Sequence, residues 1–506
     1  MNNPARLPAF KDWVPDGLRL ALYIFFLVSF QFSNGMYFAS MSEMVGTLSI
    51  TPDDTKMMGN AVLVGLTMFF TLAFRLKFRF PNQTCLMVAA LGLLLCNLVV
   101  PHLQSVPLLV LVCYAAGFLR LWGTFECFSN LLPRITPTYN YAVFLSFVFF
   151  VVLGVIHLFD IASTYITFYY SWHHVHHLAV ALLLCVAAMA YLFMRPFRAM
   201  PKMPLYGIDW LGMILWSIFI LSLIFVVQYG VQLDWLNSPH IRVALGASCL
   251  ALAANVWRMA YTRHPFLALA AFRTRNLLNL LILFLLLDIL LSGQTVLQNT
   301  YTSAFLHLDQ LSSTALDWYK FVGMALGALF SWQAITRLKF SHKLLTFVGM
   351  AMVVVYLAMV YFLITPYTNV EKLYLPQVCC GFGQVSIFIA LTVYAQATAP
   401  FKNYFQVITI LGLIRTGIAA PLGEAIYTHA LDGLISKRLA AIGTSINPSV
   451  PLPHPDLAAL FFGNDALLAP LQKLFGWSVV LGIAVLIAVA ASRFKKHVRR
   501  PIPKFF

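Results

Sequence analysis

The chain has 506 residues, 61% hydrophobic and only 10% charged, with 33 Lys and Arg against 17 Asp and Glu and a mean hydropathy of +0.83. That is more apolar surface than one water-soluble core can bury, so the expected solvent is lipid; the net charge of +16 is read as topology rather than as a nucleic-acid footprint. The short alternating strands of a membrane barrel are not seen, and without a GxxxxGK[ST] loop no nucleotide drives a pump.

A hydrocarbon layer of ~30 Å takes ~20 helical residues, and backbone polar groups in lipid must be satisfied within the segment. The apolar runs therefore predict fourteen transmembrane helices, in chain order at 18–40, 57–74, 84–100, 106–130, 141–166, 175–194, 208–230, 241–260, 277–300, 318–336, 343–364, 373–396, 404–427 and 472–492. A polar, mixed-charge lead with no small-residue cleavage site precedes the first run, so that helix is expected to be retained. An even number of helices puts both termini on one side. That side carries 24 of the 33 basic residues, whereas Lys56, Lys320, Lys372, Lys437, Arg438 and Lys473 lie opposite and Arg120, Arg242 and Arg415 lie within helices. Both termini are expected in the cytoplasm. The eight Cys fall in or at the ends of runs and read as small core residues.

Arg75-Leu76-Lys77-Phe78 follows run 2 and Arg337-Leu338-Lys339-Phe340 follows run 10. If runs 7 and 8 are an inserted pair, the repeat falls at equivalent places in two six-helix halves, an arrangement secondary transporters use around a midplane site. The expected division is 1–200 as an N-terminal bundle, 201–272 as a two-helix spacer and 273–506 as a C-terminal bundle with a hydrophilic non-cytoplasmic loop at 428–471.

Asp209-Trp210-Leu211-Gly212 opening run 7, His264-Pro265-Phe266-Leu267, Ala271-Phe272-Arg273-Thr274-Arg275-Asn276, Leu48 to Asp54, Ser171-Trp172 and Arg415 form a pattern along nearly the whole chain. It resembles the major facilitator superfamily, specifically the fourteen-helix drug:proton antiporter branch. The resemblance implies an all-α polytopic fold arranged 6 + 2 + 6 and proton-coupled export of amphipathic or drug-like compounds, that is, multidrug efflux by antiport. Arg120 matches the family arginine of run 4 and Arg79 a gate arginine. Where the family reads G-x-L-x-D-R-x-G-R-R between runs 2 and 3, this chain has Phe74 to Gln83 with Phe78 in place of the acid. The first-run Asp aligns with Ser33, and the run 5 antiporter signature with Phe159-Asp160 and Ser163-Thr164.

A charged residue at a lipid-exposed helix centre costs ~2.5–3.5 kcal/mol on insertion scales, so Asp160, Glu126, Asp288, Glu424, Arg120 and Arg415 must face protein or water. Asp288, Ser292, Thr295 and Asn299 follow i, i+4, i+7, i+11 spacing, one polar stripe on a helix. Asp288 reads either as the carboxylate that carries the coupling proton or as a packed acid paired with a neighbouring helix. His157 and Asp160 share a face and form either a second proton relay or a satisfied buried pair. Arg120 is expected to orient charge in the cavity, Arg79 to support the cytoplasmic gate, and Glu126 to be a gate partner or a structural ion pair. Gln31, Asn34, Gln228, Gln298, Gln377, Gln384, Trp122 and Phe125 complete the candidate cavity set, with Arg415 reaching other helices.

His173-His174-Val175-His176-His177 has the HxxHH spacing of membrane di-iron oxygenases and supports a rival reading, a metal-dependent membrane oxidoreductase. That chemistry needs several such boxes, and the nine other His are dispersed. A third reading is a transporter-derived sensor or scaffold that moves nothing. The favoured expectation is a transporter and no enzyme, acting as a monomer in a bacterial inner membrane, with protons, a small molecule and lipid as partners and no cofactor, metal or nucleic acid.

Overall fold

The computed structural model describes residues 9–33, 40–136, 140–198, 201–274, 276–399, 401–445 and 455–492. Helix α1 (Asp16–Phe32) and the short α2 (Met41–Leu48) precede α3 (Pro52–Arg79), α4 (Asn82–Val99), α5 (Val106–Ile135), α6 (Tyr141–Tyr169) and α7 (Trp172–Phe193). A hairpin of α8 (Trp210–Tyr229) and α9 (Pro239–Tyr261) leads through the single turn α10 (Leu269–Phe272) to α11 (Leu277–Gly293). Helix α11 continues through a π-helical turn, Gln294–Gln298, into α12 (Asn299–Ala304). Then come α13 (Gln310–Thr336), α14 (His342–Leu363), α15 (Tyr374–Thr398) and α16 (Phe401–Gly412). A second π-helical stretch, Leu413–Ala419, joins α16 to α17 (Ala420–Ser445), and α18 (Pro455–Ala491) closes the chain. Among the described residues there is no strand, only an isolated bridge between Phe10 and Met194.

Twelve of the described helices are long and apolar enough to cross a membrane, which settles a polytopic all-α fold. The other two expected runs fall outside that criterion, the first being helical through Phe32 among its described residues and 318–336 lying wholly within α13. Helix α1 has only 17 residues, and α13 starts eight residues before the apolar run and takes Asp317 and Lys320 into its first turns. The expected hydrophilic loop at 428–471 is largely helical instead. Residues 428–445 contain no Pro and simply prolong α17, and Arg438 donates to Asp465 at 2.6 Å to tie that extension to α18.

Local chemistry explains where the helices start. Thr51 and Asp54 form a reciprocal capping box at the head of α3, with Pro52 in the first helical position. Asp209 caps α8 through the Gly212 amide at 2.9 Å, pairs with Arg258 of α9, and accepts the Phe266 amide at 3.1 Å. One buried carboxylate thus fixes both helices of the hairpin and the turn that follows. The Asp209-Trp210-Leu211-Gly212 and His264-Pro265-Phe266-Leu267 segments owe their pattern to it.

Backbones meet where side chains are smallest. A methyl group on Gly117 of α5 would lie 1.9 Å from the Val62 carbonyl oxygen of α3, and one on Gly323 of α13 would lie 2.2 Å from that of Val378 in α15. The pairings recur in order: α3 on α5 and α13 on α15, α4 on α7 and α14 on α18, α4 on α5 and α14 on α15. The helices before residue 200 touch those after 269 along two faces, α6 against α13 and α15, and α3 against α16 and the second π stretch, with the Lys56–Glu424 ion pair reaching α17. Helix α8 packs on both α3 and α17. The repeated Arg-Leu-Lys-Phe falls in the last turns of α3 and just beyond the C-terminus of α13, and the end of the bundle at the C-terminus of α3 is here called the basic end.

Candidate functional site

The interior between α11, α13, α14 and α15 is polar where a lipid-solvated bundle would be expected to be apolar. Tyr356 Oη and Gln377 Nε2 both donate to Gln298 Oε1, at 2.8 and 2.6 Å; Gln294 Nε2 donates to Gln377 Oε1 at 3.3 Å. Gln294 Oε1 in turn accepts from Lys320 Nζ at 3.3 Å and from the Cys380 thiol at 3.1 Å. Lysine can only donate, so the Gln294 oxygen must face it, and every amide in the chain is then oriented in one sense from Lys320 to Gln298. The π turn makes this possible. Its extra residue per turn swings Gln294 and Gln298 inward.

Across the α6–α13 contact stands a second set of charges. Asp160 of α6 lies in electrostatic range of Asp317 and Lys320 of α13 and of Arg120 of α5, and the Lys320 charge reaches His157, Asp317 and Cys380. Among the described residues, Asp160, Asp317 and Lys320 each stay more than 4.0 Å from any group of opposite charge. Arg120, 2% exposed, donates to Gln31 Oε1 at 2.7 Å, and Gln31 Nε2 donates to Thr124 at 2.9 Å, so α1 and α5 are joined by a buried polar chain.

Asp288 of α11 is paired. Its Oδ1 accepts from Arg415 Nε at 3.3 Å while the guanidinium lies over the Phe388 ring at 4.1 Å, and its Oδ2 is buried with no hydrogen-bond partner among the described residues. Arg415 sits in the second π stretch. Ser292 donates to the Asp288 carbonyl at 2.7 Å and to the Ala420 carbonyl at 3.2 Å, which holds the two π-bearing helices together.

The two ends are closed by different chemistry. At the basic end Phe405 of α16 packs against Phe74 of α3 and Phe125 of α5, with centroids 4.4 and 5.9 Å apart, and Phe78 stacks parallel on Phe74. Behind this aromatic group Glu126 accepts from Lys77 at 3.0 Å and from Asn130 at 3.0 Å; both ionic side chains are buried. At the opposite end Lys56 of α3 pairs with Glu424 of α17 at 3.0 Å. A cavity of about 200 Å³, lined by Asp53, Gln228, His429 and Asp432, surrounds that pair between α3, α8 and α17.

The expected site residues are thus only partly brought together. Asp288, Arg415 and Ser292 converge, as do Arg120 and Gln31, while His157 and Asp160 share the α6 face that meets α13. Thr295 and Asn299 do not continue the Asp288 stripe, because the π turn shifts the register and both are exposed. Trp122, two residues beyond Arg120, projects to the other face of α5 and stacks on Phe69 of α3. Glu126 is held by Lys77, whereas Arg79 is half-exposed at the end of α3 with no ion pair among the described residues. Gln384 is half-buried on α15 with Oε1 lacking a partner among the described residues. Asn34 lies outside the described residues. Lys320, counted from sequence among the charges of the side opposite the termini although it falls within the 318–336 run, lies well inside α13. Asp309 signals that earlier start, since it caps α13 through the Ser312 amide at 2.9 Å and the Ser312 hydrogen bonds hold its carboxyl below the usual carboxylate range.

The histidine cluster does not form a metal centre. His176 is buried against Asn97 at 3.1 Å, His174 bonds Ser171 at 2.9 Å, and His177 is exposed. Consecutive positions on a helix point in different directions. Among the described residues no three His, Cys, Asp or Glu gather to hold a metal.

Neither a family model nor a curated protein matches the chain. Solved structures do share its fold. An auto-inhibited POT family peptide transporter aligns over 97% of this chain and 100% of its own with a TM-score of 0.56 at 15% identity. The nucleoside transporter NupG aligns over 94% and 99% with a TM-score of 0.56 at 11% identity. A POT family transporter in complex with 5-aminolevulinic acid aligns over 96% and 99% with a TM-score of 0.58 at 14% identity. The major-facilitator-like fold expected from the sequence is therefore the fold the chain adopts, end to end.

Proposed function

We propose that this chain is a secondary active transporter, not an enzyme, that carries a small polar solute across a membrane by alternating access. The observation that supports this most is the charged layer where α6 meets α13: ionic side chains from both helix sets face one another inside a bundle whose solvent is lipid, where charge is costly without a function. Residues 1–200 and 273–506 act as two six-helix units that rock around this layer, 201–272 is the spacer, and α1 and α13 bring the spanning helices to fourteen. The Phe74, Phe125 and Phe405 contact closes the basic end and Lys56–Glu424 the other, both across the units, so access alternates by opening one closure at a time.

Protons are the coupling ion in this reading, with Asp288 exchanging its bond to Arg415 for a proton and His157 and Asp160 as a second relay. The lining is amide and charge rather than aromatic, which favours a polar solute over the drug-like compounds the resemblance implies; the similar structures, peptide and nucleoside transporters and one in complex with 5-aminolevulinic acid, point the same way. The excess of basic residues on the side of the termini puts both termini in the cytoplasm of a cell-membrane protein. Reconstituted protein should accumulate a polar solute when a pH gradient is imposed, in a direction that the sign of the gradient sets. Uptake that ignores the gradient, or is confined to lipophilic cations, counts against it.

A further inference from the structure

The charged layer holds two signs apart, and that separation specifies what fits between them. Lys320 is half-buried, one of its three ammonium donors is used on Gln294, and its charge lies in electrostatic range of His157 and Asp160 of α6. Asp317 lies one turn away on the same helix, a spacing that would allow an i, i+3 ion pair, yet the two stay beyond 4.0 Å. The relay from Tyr356 through Gln298, Gln377 and Gln294 supplies the reason: it draws the ammonium toward the π turn and away from its own helix's acid. Both carboxylates are left in range of the cation without being bound to it. A buried charge is stable when paired or hydrogen-bonded, so the complement of this arrangement carries one charge of each sign.

We propose that Lys320 anchors the anionic group of the transported solute and that Asp160, with Asp317 behind it, receives its cationic group, so that the solute is a small zwitterion with a carboxylate at one end and an amine at the other. The proposal rests on the transporter reading above and narrows it to one class. Gln294 is a positioning residue here, because its oxygen fixes the ammonium. A solute with only one charge would leave either the lysine or the carboxylates uncompensated, and a lipophilic cation would meet Lys320 with like charge.

The test is binding to purified, detergent-solubilised full-length protein, read as thermal stabilisation by matched sets of compounds. Each set is a free ω-amino acid of two to six carbons, its N-acetyl derivative and its amide, with tetraphenylphosphonium as the lipophilic cation. The expected result is stabilisation by at least one free amino acid and an apparent affinity at least tenfold weaker for both of its blocked forms. Lys320→Gln should lower that affinity on the order of 10- to 100-fold, and Lys320→Arg should retain most of it, with each variant's unfolding temperature without ligand serving as the folding control. Gln294→Leu should weaken binding less than Lys320→Gln does. Absence of stabilisation by every free amino acid of the panel, equal stabilisation by the blocked forms, or undiminished binding by a folded Lys320→Gln protein overturns the proposal. Binding without flux in vesicles would instead overturn the transporter reading and leave the zwitterion site standing, whereas flux of another solute class would do the reverse.

Discussion

Asp288 and Arg415 are 127 residues apart in sequence and share a hydrogen bond of 3.3 Å, with the arginine stacked on Phe388 and the far carboxylate oxygen buried without a hydrogen-bond partner among the described residues. A half-satisfied carboxylate beside a cation held by a ring face can release or take up a proton with little rearrangement around it. Asp288→Asn should therefore reduce pH-gradient-driven uptake to the rate seen with no gradient while solute exchange at equal pH persists, measured in proteoliposomes. Arg415→Lys, which keeps the charge but loses the planar stack, should fall between wild type and Arg415→Ala.

The Lys77–Glu126 pair joins α3 and α5 with both side chains buried, and is expected to act as a stability element. Removing one partner leaves a buried charge without its counter-ion, held by Asn130. Lys77→Met is expected to cost about 3–5 kcal/mol, and Lys77→Met with Glu126→Met to recover most of that loss. Chemical unfolding in detergent of Lys77→Met, Glu126→Met and the double variant checks it, and an additive double variant would contradict it.

Helix crossing at Gly117 tolerates no side chain, because the Val62 carbonyl of α3 occupies the place a methyl would take. Gly117→Val should cost about 3 kcal/mol or more and sharply reduce the yield of folded protein. Gly246 of α9 has nothing within 4 Å of such a methyl, so Gly246→Ala should change stability by no more than about 0.5 kcal/mol. Yield and unfolding temperature of the two variants, side by side, provide the comparison.

The closure of the basic end rests on rings. Phe405→Ala should weaken it and bias the protein toward opening there, which raises labelling of a cysteine placed at Thr71 by an impermeant thiol reagent applied from the basic side. Phe405→Leu, which keeps an apolar contact, should have a smaller effect. Equal labelling in all three proteins would remove the aromatic group from the gate.

The spanning helices were legible because hydropathy alone marks a segment that must satisfy its backbone in lipid. Lys320 was misplaced because it was counted with the connection charges although it falls inside the apolar run at 318–336, and that run starts after Asp317, eight residues into α13, although Asp309 marks the true helix start. Thr295 and Asn299 went astray because nothing in the sequence announces a π turn, and one added residue rotates everything beyond it. The partner of Glu126 was hidden by alignment, which drew attention to Arg79 while the nearer ammonium belongs to Lys77 on the inward face of the same turn. Trp122 was grouped with Arg120 by proximity in sequence, yet two residues on a helix face nearly opposite ways.

Alternating access makes the account most directly testable through the two closures at once. In a protein freed of its eight native cysteines, spin labels at Asn60 and Thr428 report on the end closed by Lys56–Glu424, and labels at Thr71 and Asn403 on the end closed by Phe405. Double electron–electron resonance on both pairs, with and without a bound solute and at two pH values, should show one distance lengthen as the other shortens. Two distances that never change, or that lengthen together, would contradict a carrier that rocks about the charged layer between α6 and α13.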